Sequence, residues 1–109
     1  MIIIKEPTPL KDISQNHNHY FNTMVKIVVD IDQHLIALDA ELHADLEQLL
    51  LENGSKQENL WGANIYLDDG HIEFTSLINI RPAQGNKKME IENPVVKKQI
   101  EDIVCKLII

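Results

Sequence analysis

The segment Leu60–Pro82, LWGANIYLDDGHIEFTSLINIRP, constrains the fold most, because its polarity repeats every second residue. Side chains along a strand alternate between faces, so this pattern requires extended backbone with one side buried. Asp69-Gly70 tolerates the positive φ angles of a type I′ turn and predicts a hairpin. Closing the ladder on that turn pairs Leu67 with Ile72, Ile65 with Phe74 and Ala63 with Ser76 on the apolar face. The opposite face then carries Asn64, Tyr66, Glu73, Thr75, Asn79 and Arg81.

Met24–Leu42 repeats the pattern, with Val25, Ile27, Val29 and Ile31 alternating with Lys26, Val28 and Asp30. A two-residue turn at Asp32-Gln33 sets Lys26 opposite Asp39, and one at Gln33-His34 sets it opposite Glu41. Ile2–Ile4 is β-branched and reads as a further strand. Helices separate these strands. Thr8-Pro9 starts the first, and Asp45 with Gln48 caps the second, which Gly54 ends. Asn93-Pro94 opens the third, whose stripe is Val96, Ile100, Ile103, Val104, Leu107 and Ile108. The order β-α-β-β-α-β-β-α predicts a single α+β domain over residues 1–109. Its antiparallel sheet has about five strands, with helices mainly on one face.

A chain of 109 residues has room for one hydrophobic core, and 44% hydrophobic with 25% charged residues fits a soluble globular fold. The formal net charge of −7 argues against a nucleic-acid partner, which needs a broad basic face. No apolar run reaches the ~18–20 residues of a membrane span, and MIIIKEP lacks the basic start of a signal peptide. Cys105 stands alone, which excludes an intramolecular disulfide. A cytoplasmic protein is expected.

Four blocks carry a resemblance: Glu41–Asp45 (ELHAD), Gly54–Glu58 (GSKQE), Leu60–Tyr66 (LWGANIY) and Ile78–Asn86 (INIRPAQGN). Together they resemble a family of short prokaryotic proteins classed as a domain of unknown function, over nearly the whole chain. The resemblance implies a small stand-alone soluble domain. It transfers no catalytic residue and no cofactor.

Two constellations carry candidate chemistry. If Glu41 and His43 lie on a strand they share a side, with Asp45 following. A carboxylate beside an imidazole favours its protonated form and orients it as a general base. The same trio offers one nitrogen and two oxygens to a divalent metal, although no metal is assigned. The structural alternative makes Asp45 a helix cap, pairs Glu41 with Lys26 and leaves His43 at an edge. The second constellation is Asn79, Arg81, Gln84 and Asn86. Arg81 at a strand end, before a Pro-containing turn and Gly85, suits a bidentate grip on a carboxylate or phosphate. Its structural alternative ties Arg81 to Glu41 or Glu73 and gives Gln84 and Asn86 to turn chemistry.

Trp61 reads as a core anchor and Gly62 as a point of close backbone approach. His17, His19, His34 and His71 read as surface residues, and Cys105 as a small buried hydrophobe. No P-loop, dinucleotide fingerprint, nucleophile elbow or paired-cysteine metal site is present, so no cofactor is named. The sheet's polar face gathers Lys26, Glu41, His43, Asn64, Tyr66, Asn79 and Arg81, rimmed by Gln84 and Asn86. This face is expected to bind a small polar or anionic ligand. In a hydrolase-like version His43 is the base, Glu41 its neighbour and Arg81 the electrophilic stabiliser. The rival is an interaction module, a homodimer or partner subunit built on the edge Ile2–Lys5 or the tail Leu107–Ile109.

Overall fold

Period-two patterning becomes a five-stranded antiparallel sheet in the computed structural model, which describes residues Met1–Ile109. The strands are β1 (Ile2–Ile4), β2 (Met24–Asp30), β3 (Leu35–Leu38), β4 (Leu60–Tyr66) and β5 (Ile72–Glu73), in the order β1-β3-β2-β4-β5. The helices are α1 (Leu10–Asn16), α2 (His43–Glu52) and α3 (Pro94–Leu107). The fold is α+β, and its element order follows the expected one.

Asp30 selects the register of the β2–β3 hairpin. Its buried carboxylate accepts the Asp32 and Gln33 N–H groups, each at 2.9 Å, and the Ser55 hydroxyl at 2.6 Å. Those bonds hold the turn at Asp32-Gln33, so Ile27 pairs with Leu38 and Asp30 with Leu35. Neither expected ion pair of Lys26 forms. β3 stops at Leu38 and Asp39, at φ 72°, turns its carboxylate to the backbone N–H and ring Nδ1 of His19. Glu41 lies beyond the strand and is exposed.

The β4–β5 hairpin keeps its faces but slips by two residues, pairing Ile65 with Ile72 and Asn64 with Glu73. The cause is a longer loop, Leu67–Gly70, closed by Gly70 N–H to Tyr66 O at 2.8 Å and Tyr66 N–H to His71 O at 3.0 Å. An even slip leaves Ile72 and Phe74 on their original side, but past Thr75 the chain leaves the sheet, and Ser76 and Ile78, expected on the apolar face, lie on the side of α2. The expected strand through Arg81 ends at Glu73. Leu77–Asn79 is a 3₁₀ turn instead, capped by Ser76 Oγ, which accepts the Ile78 N–H at 3.3 Å.

Two cores flank the sheet. Val25, Ile27, Val29, Trp61, Ala63 and Ile65 pack with Ile13 of α1 and with Ile100, Ile103, Val104 and Leu107 of α3. On the other face Val28, Ala37 and Leu60 receive Leu46 and Leu50 of α2. Full burial of each such leucine is worth about 1.5–3 kcal/mol, which fixes α2 over that end of the sheet. Two helices thus cover one face and α2 only part of the other. The row Lys26, Asn64 and Glu73 across β2, β4 and β5 lies beyond it. Cys105, expected to be buried, is exposed. At about 100° of rotation per residue it falls off the stripe that ends at Val104 and Leu107. No helix is long and apolar enough to cross a membrane.

Candidate functional site

β5 pairs only with Asn64 and Ile65, so the first half of β4 needs other partners for its edge backbone groups. Asn79 supplies them. It is fully buried; its Oδ1 accepts the Gly62 N–H at 2.8 Å, and its Nδ2 donates to Gly62 O at 2.9 Å and Met89 O at 3.1 Å. One carboxamide thereby replaces a neighbouring strand residue. Arg81 extends the same edge, donating to the carbonyls of Leu60, Gln57 and Ile78, the last two at 3.0 Å. Its guanidinium lies 4.5 Å from the Trp61 ring centroid and 3.8 Å from Glu47. Burial pushes its pKa down, and Glu47 opposes that shift.

Asn86 Nδ2 donates to Asn79 O and Lys88 O at 2.8 Å and to Glu90 O at 3.1 Å, while its Oδ1 accepts the Glu92 N–H at 2.8 Å. Gln84 donates to Glu58 O at 3.1 Å. These side chains are occupied by the protein itself. Neither expected ion pair of Arg81, with Glu41 or Glu73, is made; backbone carbonyls and Glu47 take that role.

Farther along β4 the polar groups are not so occupied. Lys26, His43 and Asn64 line a cleft of about 400 Å³ together with Met24, Ser76 and Met89. Gly62 makes it possible. A Cβ there would stand 2.5 Å from Ser76 Cβ and 3.2 Å from His43 Cδ2, so only glycine lets both close on the strand. His43 Nε2 lies 2.8 Å from Ala63 O. A carbonyl only accepts, so Nε2 carries the proton and Nδ1 keeps its lone pair. Burial pushes the imidazole pKa below 6.5; the Ala63 bond opposes this, Lys26 lowers it further and Asn64 opposes. The ring is neutral at pH 7.

Asn64 Nδ2 donates to Glu73 Oε1 at 2.8 Å, which fixes the amide orientation and leaves the buried Oδ1 without a partner. Lys26 is half-buried, stands 5.2 Å from the Phe21 ring centroid and joins none of the ion pairs. No side chain caps the N-terminus of α2, where Leu42, His43 and Ala44 border the cleft. That terminus adds partial positive charge.

The match that places the chain is to the family model described as "Protein of unknown function (DUF5674)", over residues 2–107. The chain belongs to this family. Searches of curated proteins and of solved structures return no match.

That geometry divides the expected site in two. Lys26, His43 and Asn64 meet at the cleft, but Tyr66 does not line it; its ring stacks on His71 and its hydroxyl lies 3.4 Å from Glu73. Asn79, Arg81, Gln84 and Asn86 gather around Trp61 and the start of β4. The Glu41–His43–Asp45 trio does not assemble. His43 begins α2 and is buried, whereas Glu41 and Asp45 are exposed, and the cap residue is Leu42. Thr75 lines the cleft from the polar face where it was expected, whereas Met24, Met89 and Ser76, the last expected on the apolar face, were not anticipated there; Gly62, read as a close-approach position, was the signal for Ser76. Asp68, Asp69 and His71 also bring their ligand atoms within 4.8 Å of one another, all exposed. Turn bonding accounts for two of them, since Asp69 Oδ1 accepts from His71 N at 3.0 Å and meets its Nδ1 at 2.5 Å.

Proposed function

We propose that this protein binds a small polar or anionic ligand in the Lys26–His43–Asn64 cleft. One observation carries the reading: a half-buried lysine without a counter-charge, on the wall of a cleft that no acidic side chain lines. Asn64 Oδ1 adds an acceptor beside His43 that an O–H or N–H of a polar ligand would satisfy, since an unpaired buried polar atom costs about 1–3 kcal/mol; it offers nothing to an anionic group. The test is an amide-shift titration of the ¹⁵N-labelled chain with small anions. Shifts should centre on Lys26, Ala44 and Asn64, and Lys26→Met should weaken binding by about tenfold, near 1.4 kcal/mol. Shifts indifferent to that substitution would sink the reading.

A catalytic version rests on His43. A neutral ring with its Nδ1 lone pair free is in the right form to accept a proton from water or a substrate hydroxyl, as hydrolase-like chemistry requires. Glu41 and Arg81 enter it only as remote charges. A second reading, association through a sheet edge, is favoured by β1, which borders β3 alone and leaves its outer backbone open. Light scattering across a concentration series tests it, and a monomer throughout would exclude it.

A further inference from the structure

We infer that the ligand of the cleft is an amphipathic monocarboxylate: one carboxylate head on an apolar body of several carbons. This rests on the cleft-binding reading above and narrows it.

The charge of the lining sets the head. Lys26 is its one fixed cation and His43 is neutral; the Thr75 and Ser76 hydroxyls can donate to an anion, whereas Asn64 Oδ1 and His43 Nδ1 only accept and do not hold it. One cation and an uncapped helix terminus balance a single negative charge. A dianionic phosphate would leave one charge uncompensated, close to Glu73, which already holds Asn64. For a carboxylate head the site offers Lys26 and the uncapped N-terminus of α2, whose residues Leu42, His43 and Ala44 border the cleft.

The apolar walls set the body. Met24, Leu42, Leu77, Ile78 and Met89 make up much of the lining. Leu42 is 53% exposed, Leu77 73% and Met89 44%, so three large apolar side chains stand in water around one mouth. Isolated exposed leucines are ordinary, but a ring of them beside a cation is the form of a ligand groove. Methionines at two positions adapt to chains of different shape. About 400 Å³ lies within the usual range of ~300–1,000 Å³ for small-molecule sites, which favours a free small acid over a peptide.

The experiment titrates the full labelled chain with acetate, butyrate, hexanoate, octanoate, hexanol, inorganic phosphate and acetyl-Gly-Leu, following the amides of Lys26, Ala44 and Asn64. Affinity should rise about fourfold per added methylene along the acids. Hexanoate should bind about tenfold more tightly than hexanol, and Lys26→Met should erase that lead. The double variant Leu77→Ser, Met89→Ser, at two exposed positions that spare the fold, should flatten the chain-length series and leave acetate unchanged. Phosphate binding at these amides more tightly than hexanoate would overturn the monocarboxylate while keeping the cleft. Tenfold tighter binding of acetyl-Gly-Leu would overturn it in favour of a protein carboxy-terminus. Silence at these amides with every probe would remove the cleft reading itself.

Discussion

The two halves of β4 treat polar side chains in opposite ways. At Leu60–Gly62 the groups of Asn79, Arg81 and Asn86 are matched against backbone partners, and the result is an edge held by side chains in place of a strand. Around Asn64 another asparagine, with His43 and Lys26 beside it, leaves capacity unused: an amide oxygen without a donor, an imidazole lone pair and an ammonium without a counter-ion. Polar residues that satisfy one another build a fold, and those that do not are available to something else. Residue type alone does not separate the two roles; the list of partners does.

Four measurements press on that contrast. The largest effect belongs to Asn79→Ala, which strips Gly62 N–H, Gly62 O and Met89 O of a fully buried partner. It should cost about 3 kcal/mol or more by urea unfolding. A loss under ~1 kcal/mol would mean that this edge is not structural in the sense argued. Gly62→Ala comes next, at about 1–3 kcal/mol, because its methyl group meets Ser76 Cβ at 2.5 Å. This substitution should also disturb the cleft, since Ser76 and His43 must move.

The third is a pH profile. The His43 pKa lies below 6.5 in the folded protein and near that value in the unfolded chain, so below pH 6.5 the unfolded state binds the additional proton. Stability should fall as pH drops through that value, by at most about 1.4 kcal/mol per unit, until the folded ring titrates as well. His43→Gln should remove this slope. Asp39 adds a separate decline at lower pH. Burial raises its pKa, but the bonds from His19 bring it below 3.8, and the stability present above 3.8 is lost as pH falls through the folded value. The smallest effect is on stability in Lys26→Met, within about ±0.5 kcal/mol, while anion affinity drops. A large destabilisation there would erase the distinction between the two halves.

Much of the architecture was legible because period-two patterning survives small errors. The β4–β5 pairing slipped by two residues without moving Ile72 or Phe74 across the sheet, and only beyond Thr75, where the strand had ended, did Ser76 and Ile78 change sides; Asn93-Pro94 and Gly54 marked helix ends from local chemistry alone. The site was less legible for two reasons. His43 looked like the continuation of β3, but His43, Leu46 and Leu50 are spaced three and four apart and form the buried stripe of α2. That spacing was the better signal, and it withdraws His43 from Glu41. Arg81 and Asn79 looked like strand residues presenting polar groups to solvent. Only the early end of β5, forced by the longer turn and the Ser76 cap, turned their side chains toward the β4 backbone. Nothing in the spacing of SLINIRP announces a side chain that stands in for a strand.

Asn79 has a consequence for how copies of the chain meet. An unpaired strand border is a template that recruits strands from other molecules, and at Gly62 this one is plugged by a carboxamide that cannot be peeled away without opening the core. Replacing Asn79 therefore does more than weaken one molecule. It uncovers a length of β4 on which neighbouring chains can stack, so the variant should lose material to aggregates at concentrations where the parent protein stays clear.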